Sequence, residues 1–132
     1  MRPRAYTSSR PSTRAAYPWD ASASSYVSAM AKEIDVTTLK RRLDAGESFK
    51  FVDVREEHEY EEFNLGAELI PLGTIPDHLD DFGPKDGAIV LHCRSGARSG
   101  NAQKFLEAQG FTDVTNVTGG VVAWRAAFGE SD

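Results

Sequence analysis

Cysteine is almost absent from this 132-residue chain, which has one, Cys93. A single thiol cannot close an internal disulfide or furnish a cysteine-rich zinc cluster, so crosslinked scaffolds and zinc modules are excluded. Long apolar runs are missing too. The longest, such as Ala88-Ile89-Val90-Leu91, fall far short of the roughly 20 residues a membrane-spanning helix needs. Nor is there a surplus of positive charge: 15 Lys+Arg face 20 Asp+Glu, for a net charge of −5. That balance argues against nucleic acid as the general partner. With 40% hydrophobic residues, the chain can build one core, and it is too short for two ordinary domains. These features describe a small soluble domain of a reducing compartment, with the cytoplasm as the expected location.

Charge and composition divide the chain. Residues 1–29 hold Arg2, Arg4, Arg10 and Arg14 against Asp20 alone, leaving the other residues to carry −8. This segment has nine Ser/Thr, three Pro and, of the aliphatics larger than alanine, only Val27. It has no helical or strand periodicity and cannot bury enough surface to offset the entropy of ordering. It reads as a disordered leader, tag or upstream extension before a start at Met30. An Arg-rich, Ser-rich, acid-poor segment is also the composition of an organellar transit peptide, so import into an organelle is the alternative. It lacks the apolar centre of a secretory signal. The domain is expected over 30–132.

From Met30 onward strands and helices alternate. Strands are expected at Ile34-Asp35-Val36, Phe49 to Val54, Leu69-Ile70, Ala88 to His92 and Val114 to Val117. Ala88 to His92 is continuously apolar, as in a strand buried on both faces of a parallel sheet. Helices are expected from a Thr37-Thr38 cap to Gly46, across the charged stretch Glu56 to Phe63, from Thr74-Ile75-Pro76 to Gly83, from Arg98 to Gln109 and from Val121 to Ala127. This alternation predicts an α/β domain with a mostly parallel sheet. No internal repeat is visible.

Ligands of such sheets sit beyond the carboxyl ends of the strands. Two segments bring polar chemistry to that edge: Asp53-Val54-Arg55, and His92-Cys93-Arg94-Ser95-Gly96-Ala97-Arg98-Ser99. Cys93 thus follows the most buried strand and precedes a helix N-terminus. Loop N–H groups and the helix dipole favour an anion there, and Arg94 and Arg98 add positive charge. Gly96 lets the backbone curl so that successive amides converge. A thiol so placed is expected to have a depressed pKa and act as a nucleophile. The bland alternative is an inert core cysteine, but such a cysteine has no use for two flanking guanidiniums.

Cys93-Arg94-Ser95-Gly96-Ala97-Arg98, preceded by Asp53-Val54-Arg55-Glu56 and followed by Val117-Thr118-Gly119-Gly120 with Trp124, resembles the single-domain rhodaneses. The resemblance runs from about Ile34 to Phe128. It implies a five-stranded, mostly parallel sheet flanked by helices on both faces. It implies a sulfurtransferase whose Cys93 carries sulfane sulfur as a persulfide, from thiosulfate or a persulfide donor to an acceptor such as cyanide or a thiol. The amides of Arg94, Ser95, Gly96, Ala97, Arg98 and Ser99 would cradle the outer sulfur. Arg94 and Arg98 would bind the thiosulfate oxyanion, and Asp53 and Arg55 would brace the loop. The alternative for Asp53 and Arg55 is an exposed ion pair.

No metal or organic cofactor is expected, and a sulfur-carrier protein is a candidate acceptor. A non-catalytic module that binds a partner or senses sulfur is the second reading. Phosphatases and arsenate reductases of the same fold carry five residues between Cys and Arg. Here four intervene, Arg94 to Ala97, which suits sulfur better than a tetrahedral phosphate.

The remaining candidates carry less. His58, His78 and His92 have no metal-ligand spacing, and His92 is expected simply to end its strand. No Cys–His protease dyad is suggested. Glu56, Glu57, Glu59, Glu61 and Glu62 read as a solvated face, and Gly119-Gly120 as a turn that the resemblance places at the site mouth. Phe63-Asn64-Leu65-Gly66-Ala67 stands where most family members read Gly-His-Ile-Pro-Gly-Ala, a departure the fold should survive.

Overall fold

The computed structural model describes residues 32–129. The expected leader over 1–29 and the start at Met30 lie outside the described residues. Five strands appear in chain order: β1 (Lys32–Ile34), β2 (Lys50–Asp53), β3 (Glu68–Leu69), β4 (Ile89–His92) and β5 (Val114–Val117). They form one sheet in the order β1-β5-β4-β2-β3, and every pairing is parallel. Three α-helices lie between strands, α1 (Val36–Asp44), α2 (Glu57–Glu62) and α3 (Ala97–Ala108), and α4 (Gly120–Phe128) follows the last strand.

Two expected elements differ. The helix expected from Thr74 is a 3₁₀ segment, Leu72–Phe82, broken at His78. Its tighter winding begins directly after Pro71, and Pro76 inside it cannot donate a backbone hydrogen bond. The first strand stops at Ile34, because Asp35 caps α1 by accepting the Thr38 N–H at 2.8 Å. Asp35, rather than Thr37 or Thr38, is therefore the cap, and its carboxyl pKa is lowered chiefly by that backbone bond.

β4 is central and buried throughout. Ile89 and Leu91 join Val52, Val54, Ile75, Phe82, Leu106 and Cys93 in the core beneath α3 and the 3₁₀ segment. Val90 points the other way, beside Val117 of β5, into the core that α1 and α4 cover with Leu39 and Trp124. Burying each of the three aliphatic side chains of β4 is worth about 1.5–3 kcal/mol. The strand that delivers Cys93 is thus clamped from both faces, and the residue after its end is held where the sheet's carboxyl edge opens.

Candidate active site

Cys93 is buried, 1% exposed, and is a free thiol. Burial is where the bland expectation was right. Its surroundings are not those of an inert residue. Sγ accepts the Gly96 N–H at 3.1 Å and the Ser99 N–H at 3.3 Å, and the Ser99 hydroxyl stands 3.3 Å away. Gly96 caps α3 at φ 105°, a left-handed conformation that turns these amides inward. Burial pushes the Cys93 pKa up. The Ser99 hydroxyl, the Ser99 and Gly96 amides and the Ser95 amide outweigh it, so the thiol pKa lies below its ordinary value.

The carbonyls of the loop point the opposite way. Cys93 O accepts the Val121 N–H at 2.9 Å and Arg94 O accepts the Val122 N–H at 3.0 Å, both from the first turn of α4. That docking demands glycine before them. A Cβ on Gly120, whose φ is +50°, would lie 2.2 Å from Cys93 O. The Gly119-Gly120 turn is therefore part of the wall behind the cysteine.

The two arginines of the loop part company. Arg98 makes a two-pronged bond to Glu59 of α2, at 2.8 and 2.9 Å. Glu59 also accepts the Glu56 N–H at 3.0 Å. The Arg98 bonds hold the Glu59 carboxyl down to about 2, and Glu59 in turn raises the Arg98 pKa. Glu59 is thus an anchor within a run that read as solvated, while Glu56, Glu57, Glu61 and Glu62 are exposed as expected. Arg94 instead is exposed and lines a cleft of 390 Å³ with His58, Glu62, Val121, Val122 and Arg125. Ser95 and Ala97 are exposed beside it.

Asp53 and Arg55 form a buried pair, 0% and 4% exposed, bonded at 2.8–3.1 Å. Arg55 also donates to Phe63 O at 2.6 Å, pinning the end of the helix that carries Glu59. The exposed-pair alternative is excluded. His92 ends β4 as expected; its ring is fully buried, and burial pushes its pKa down. Asn64 closes its turn by donating to Tyr60 O at 3.1 Å and accepting the Gly66 N–H at 2.9 Å, which is how the unusual segment is accommodated. Trp124 is a core residue stacked edge-on against Phe128.

Sequence reasoning missed Glu59 and Asn116. Asn116 lies on β5, 5% exposed, with Oδ1 2.5 Å from Ser99 Oγ and Nδ2 donating to Gly96 O at 3.2 Å. The only local hint was a polar residue inside the expected strand, and Thr115 beside it gives the same hint without lying at the site.

A family model described as "Rhodanese-like domain" matches residues 35–127. The chain belongs to the rhodanese-like family. The Bacillus subtilis protein named "Putative sulfurtransferase YtwF" is 42% identical over 95 residues, covering 71% of this chain and 90% of that one. A "Sulfurtransferase" of Allochromatium vinosum is 38% identical over 96 residues, covering 72% and 89%. A rhodanese-like domain protein of Staphylococcus aureus superposes with a TM-score of 0.66 at 38% identity, over 70% of this chain and 90% of that one. "Putative sulfur carrier protein YrkF" of Bacillus subtilis is 36% identical over 93 residues, 70% of this chain and 50% of that protein. The rhodanese-like fold is thus the α/β, parallel-sheet architecture described above, and relatives named sulfurtransferases support a sulfurtransferase role. Among the described residues, no helix is long and apolar enough to cross a membrane, and no three potential metal ligands gather.

Proposed function

We propose that the protein moves a sulfane sulfur from thiosulfate, or from a persulfide donor, to a thiophilic acceptor through Cys93. The observation that carries this reading is the thiol itself: it sits at the end of the central strand inside a ring of N–H and O–H donors aimed at sulfur. Such a ring lowers the cost of a thiolate and leaves donors for a second sulfur anion. The Cys93 thiolate attacks the outer sulfur of thiosulfate. An S–S bond to Sγ forms, the bond from that sulfur to the sulfite group breaks, and sulfite leaves with the electron pair. Negative charge passes from Sγ to the new terminal sulfur. An acceptor such as cyanide or a thiolate then attacks that sulfur, and the Cys93 thiolate is the leaving group.

Arg94, exposed at the cleft, meets the incoming dianion. Arg98 positions the loop through Glu59, and the Asp53–Arg55 pair braces the helix bearing Glu59. The chemistry needs no metal or organic cofactor, and residues 30–132 are the catalytic unit. A sulfur-carrier protein is the acceptor class suggested by the relative of that name, and the cytoplasm is the proposed location.

Incubation with thiosulfate followed by cyanide tests the reading. Thiocyanate should form with the wild type and not with Cys93→Ser, and intact mass should show one added sulfur atom before cyanide. No thiocyanate above the Cys93→Ser background sinks the enzymatic reading and leaves the binding-module one.

A further inference from the structure

The Ser99 hydroxyl lies 3.3 Å from Cys93 Sγ, 3.3 Å from Gly96 O and 2.5 Å from Asn116 Oδ1. A hydroxyl carries one proton and serves one acceptor at a time. Gly96 O does not need it, since it already accepts the Gly100 N–H at 3.0 Å and Asn116 Nδ2 at 3.2 Å. The bond from Nδ2 also fixes the amide: turned over, Oδ1 would face the Gly96 oxygen. Oδ1 therefore meets Ser99 as an acceptor. Both side chains are buried, 0% and 5% exposed, so bulk water does not stand in for either partner. The choice lies between sulfur and the asparagine oxygen.

We propose that Asn116 is a positioning residue that competes with the Cys93 sulfur for the Ser99 proton, the hydroxyl pointing to sulfur in the thiolate and to Asn116 in the thiol and the persulfide. The physical reason is the charge on Sγ. As a thiolate it is a strong acceptor and outbids an amide oxygen. As a thiol, or bonded to a second sulfur, it is a weak one. The persulfide half of the inference rests on the sulfur-transfer reading above. In that step Sγ gains its bond to the outer sulfur, sulfite departs with the electron pair, and the charge leaves Sγ. The hydroxyl then returns to Asn116, which offsets the loss of its bond to sulfur. Asn116 thus favours both states in which Sγ is uncharged.

Two shifts of common origin follow. With the competing acceptor removed, Ser99 bonds the thiolate unopposed. The Cys93 pKa in Asn116→Ala should fall by about one unit, a tenfold change in the thiol–thiolate ratio. Above that pKa, the persulfide-to-thiolate ratio at a fixed thiosulfate-to-sulfite ratio should fall by a similar factor. A merely structural asparagine predicts the reverse: losing its bond to Gly96 would loosen the cradle and raise the pKa.

The test is the alkylation rate against pH for wild type, Asn116→Ala, Asn116→Leu, Ser99→Ala and the Asn116→Ala/Ser99→Ala pair, with intact mass reporting persulfide. Asn116→Leu keeps the volume and carries the comparison if the alanine variant does not fold. Asn116→Asp, which keeps the shape, should raise the pKa more with Ser99 present than in Ser99→Ala. The inference expects a lower pKa on removing Asn116, and no shift when Ser99 is already Ala. An unchanged or raised pKa overturns it, and so does a fall that persists without Ser99. A wild type that never gains sulfur sinks the sulfur-transfer reading instead, and the alkylation comparison still decides the competition for the proton.

Discussion

The Cys93 loop is held from two sides by different physics. Towards α4 it is held by backbone: the Val121 and Val122 amides reach the Cys93 and Arg94 carbonyls, and Gly120 lets the chains approach with no side chain between them. Towards α2 it is held by charge, Arg98 on Glu59, with the buried Asp53–Arg55 pair behind. The α4 side tolerates no added atom but is indifferent to pH and salt. The α2 side tolerates changes of shape but depends on protonation. Substitutions that separate shape from charge should therefore act on opposite sides of the same loop.

The sharpest break is Gly120→Ala. Its Cβ would fall 2.2 Å from a backbone carbonyl, at a positive φ that L residues rarely adopt. Neither the strand end nor α4 can yield without disturbing the donors around Sγ. We expect a loss of about 3 kcal/mol or more in stability and near-complete loss of sulfur transfer. Thermal unfolding and the thiocyanate assay measure the two. A variant that melts with the wild type and turns over normally would show that the α4 wall is not rigid.

The same contrast explains what was legible in the sequence. Cys93, Gly96 and the strand before them lie within one continuous stretch, where apolar run, glycine and flanking arginines all follow local rules. The parallel sheet was legible for the same reason, since strand and helix signals alternate. The cap at Asp35 was missed because three capping residues within four positions, Asp35, Thr37 and Thr38, compete locally, and only the backbone angle decides. The 3₁₀ winding of Leu72–Phe82 was missed because its apolar spacing also fits an α-helix. Glu59 and Asn116 were illegible for another reason. Their partners, Arg98 and Ser99, lie 39 and 17 residues away, and no pattern within either segment announces a contact made by folding. That Arg98 is bound to Glu59 while Arg94 is exposed follows from the same long-range pair.

The charged side should show its hand in acid. Glu59 is held at about 2 by the Arg98 bonds, against an ordinary 4.5. A carboxylate with a depressed folded pKa adds stability that is fully present above its unfolded pKa and is lost as pH falls through the folded one. The contribution should therefore fade between about pH 4.5 and 2. Both partners are partly exposed, 33% and 21%, so screening limits the pair to about 1 kcal/mol. Glu59→Gln should lower the melting temperature at pH 7 and narrow its difference from wild type towards pH 2. Equal differences at both pH values would assign the loss to packing rather than charge.

The smallest expected effect on stability tests a residue whose side chain belongs to neither wall. Arg94 is exposed, and it is its backbone, not its guanidinium, that α4 holds. Arg94→Ala should therefore melt within about 0.5 kcal/mol of wild type, as surface substitutions usually do. Its action should fall on the donor. Thiosulfate carries two negative charges, and a guanidinium at the cleft attracts it more strongly in dilute salt than at physiological strength, where fields fade over about 8 Å. The KM for thiosulfate should rise severalfold at low ionic strength, by less in 0.5 M salt, with kcat little changed. Arg98→Ala should behave differently, losing stability through Glu59 at either salt concentration. If both arginines gave the same salt-dependent rise in KM with unchanged melting, Arg98 would be binding donor alongside Arg94, and the assignment of one to the substrate and the other to the scaffold would be wrong.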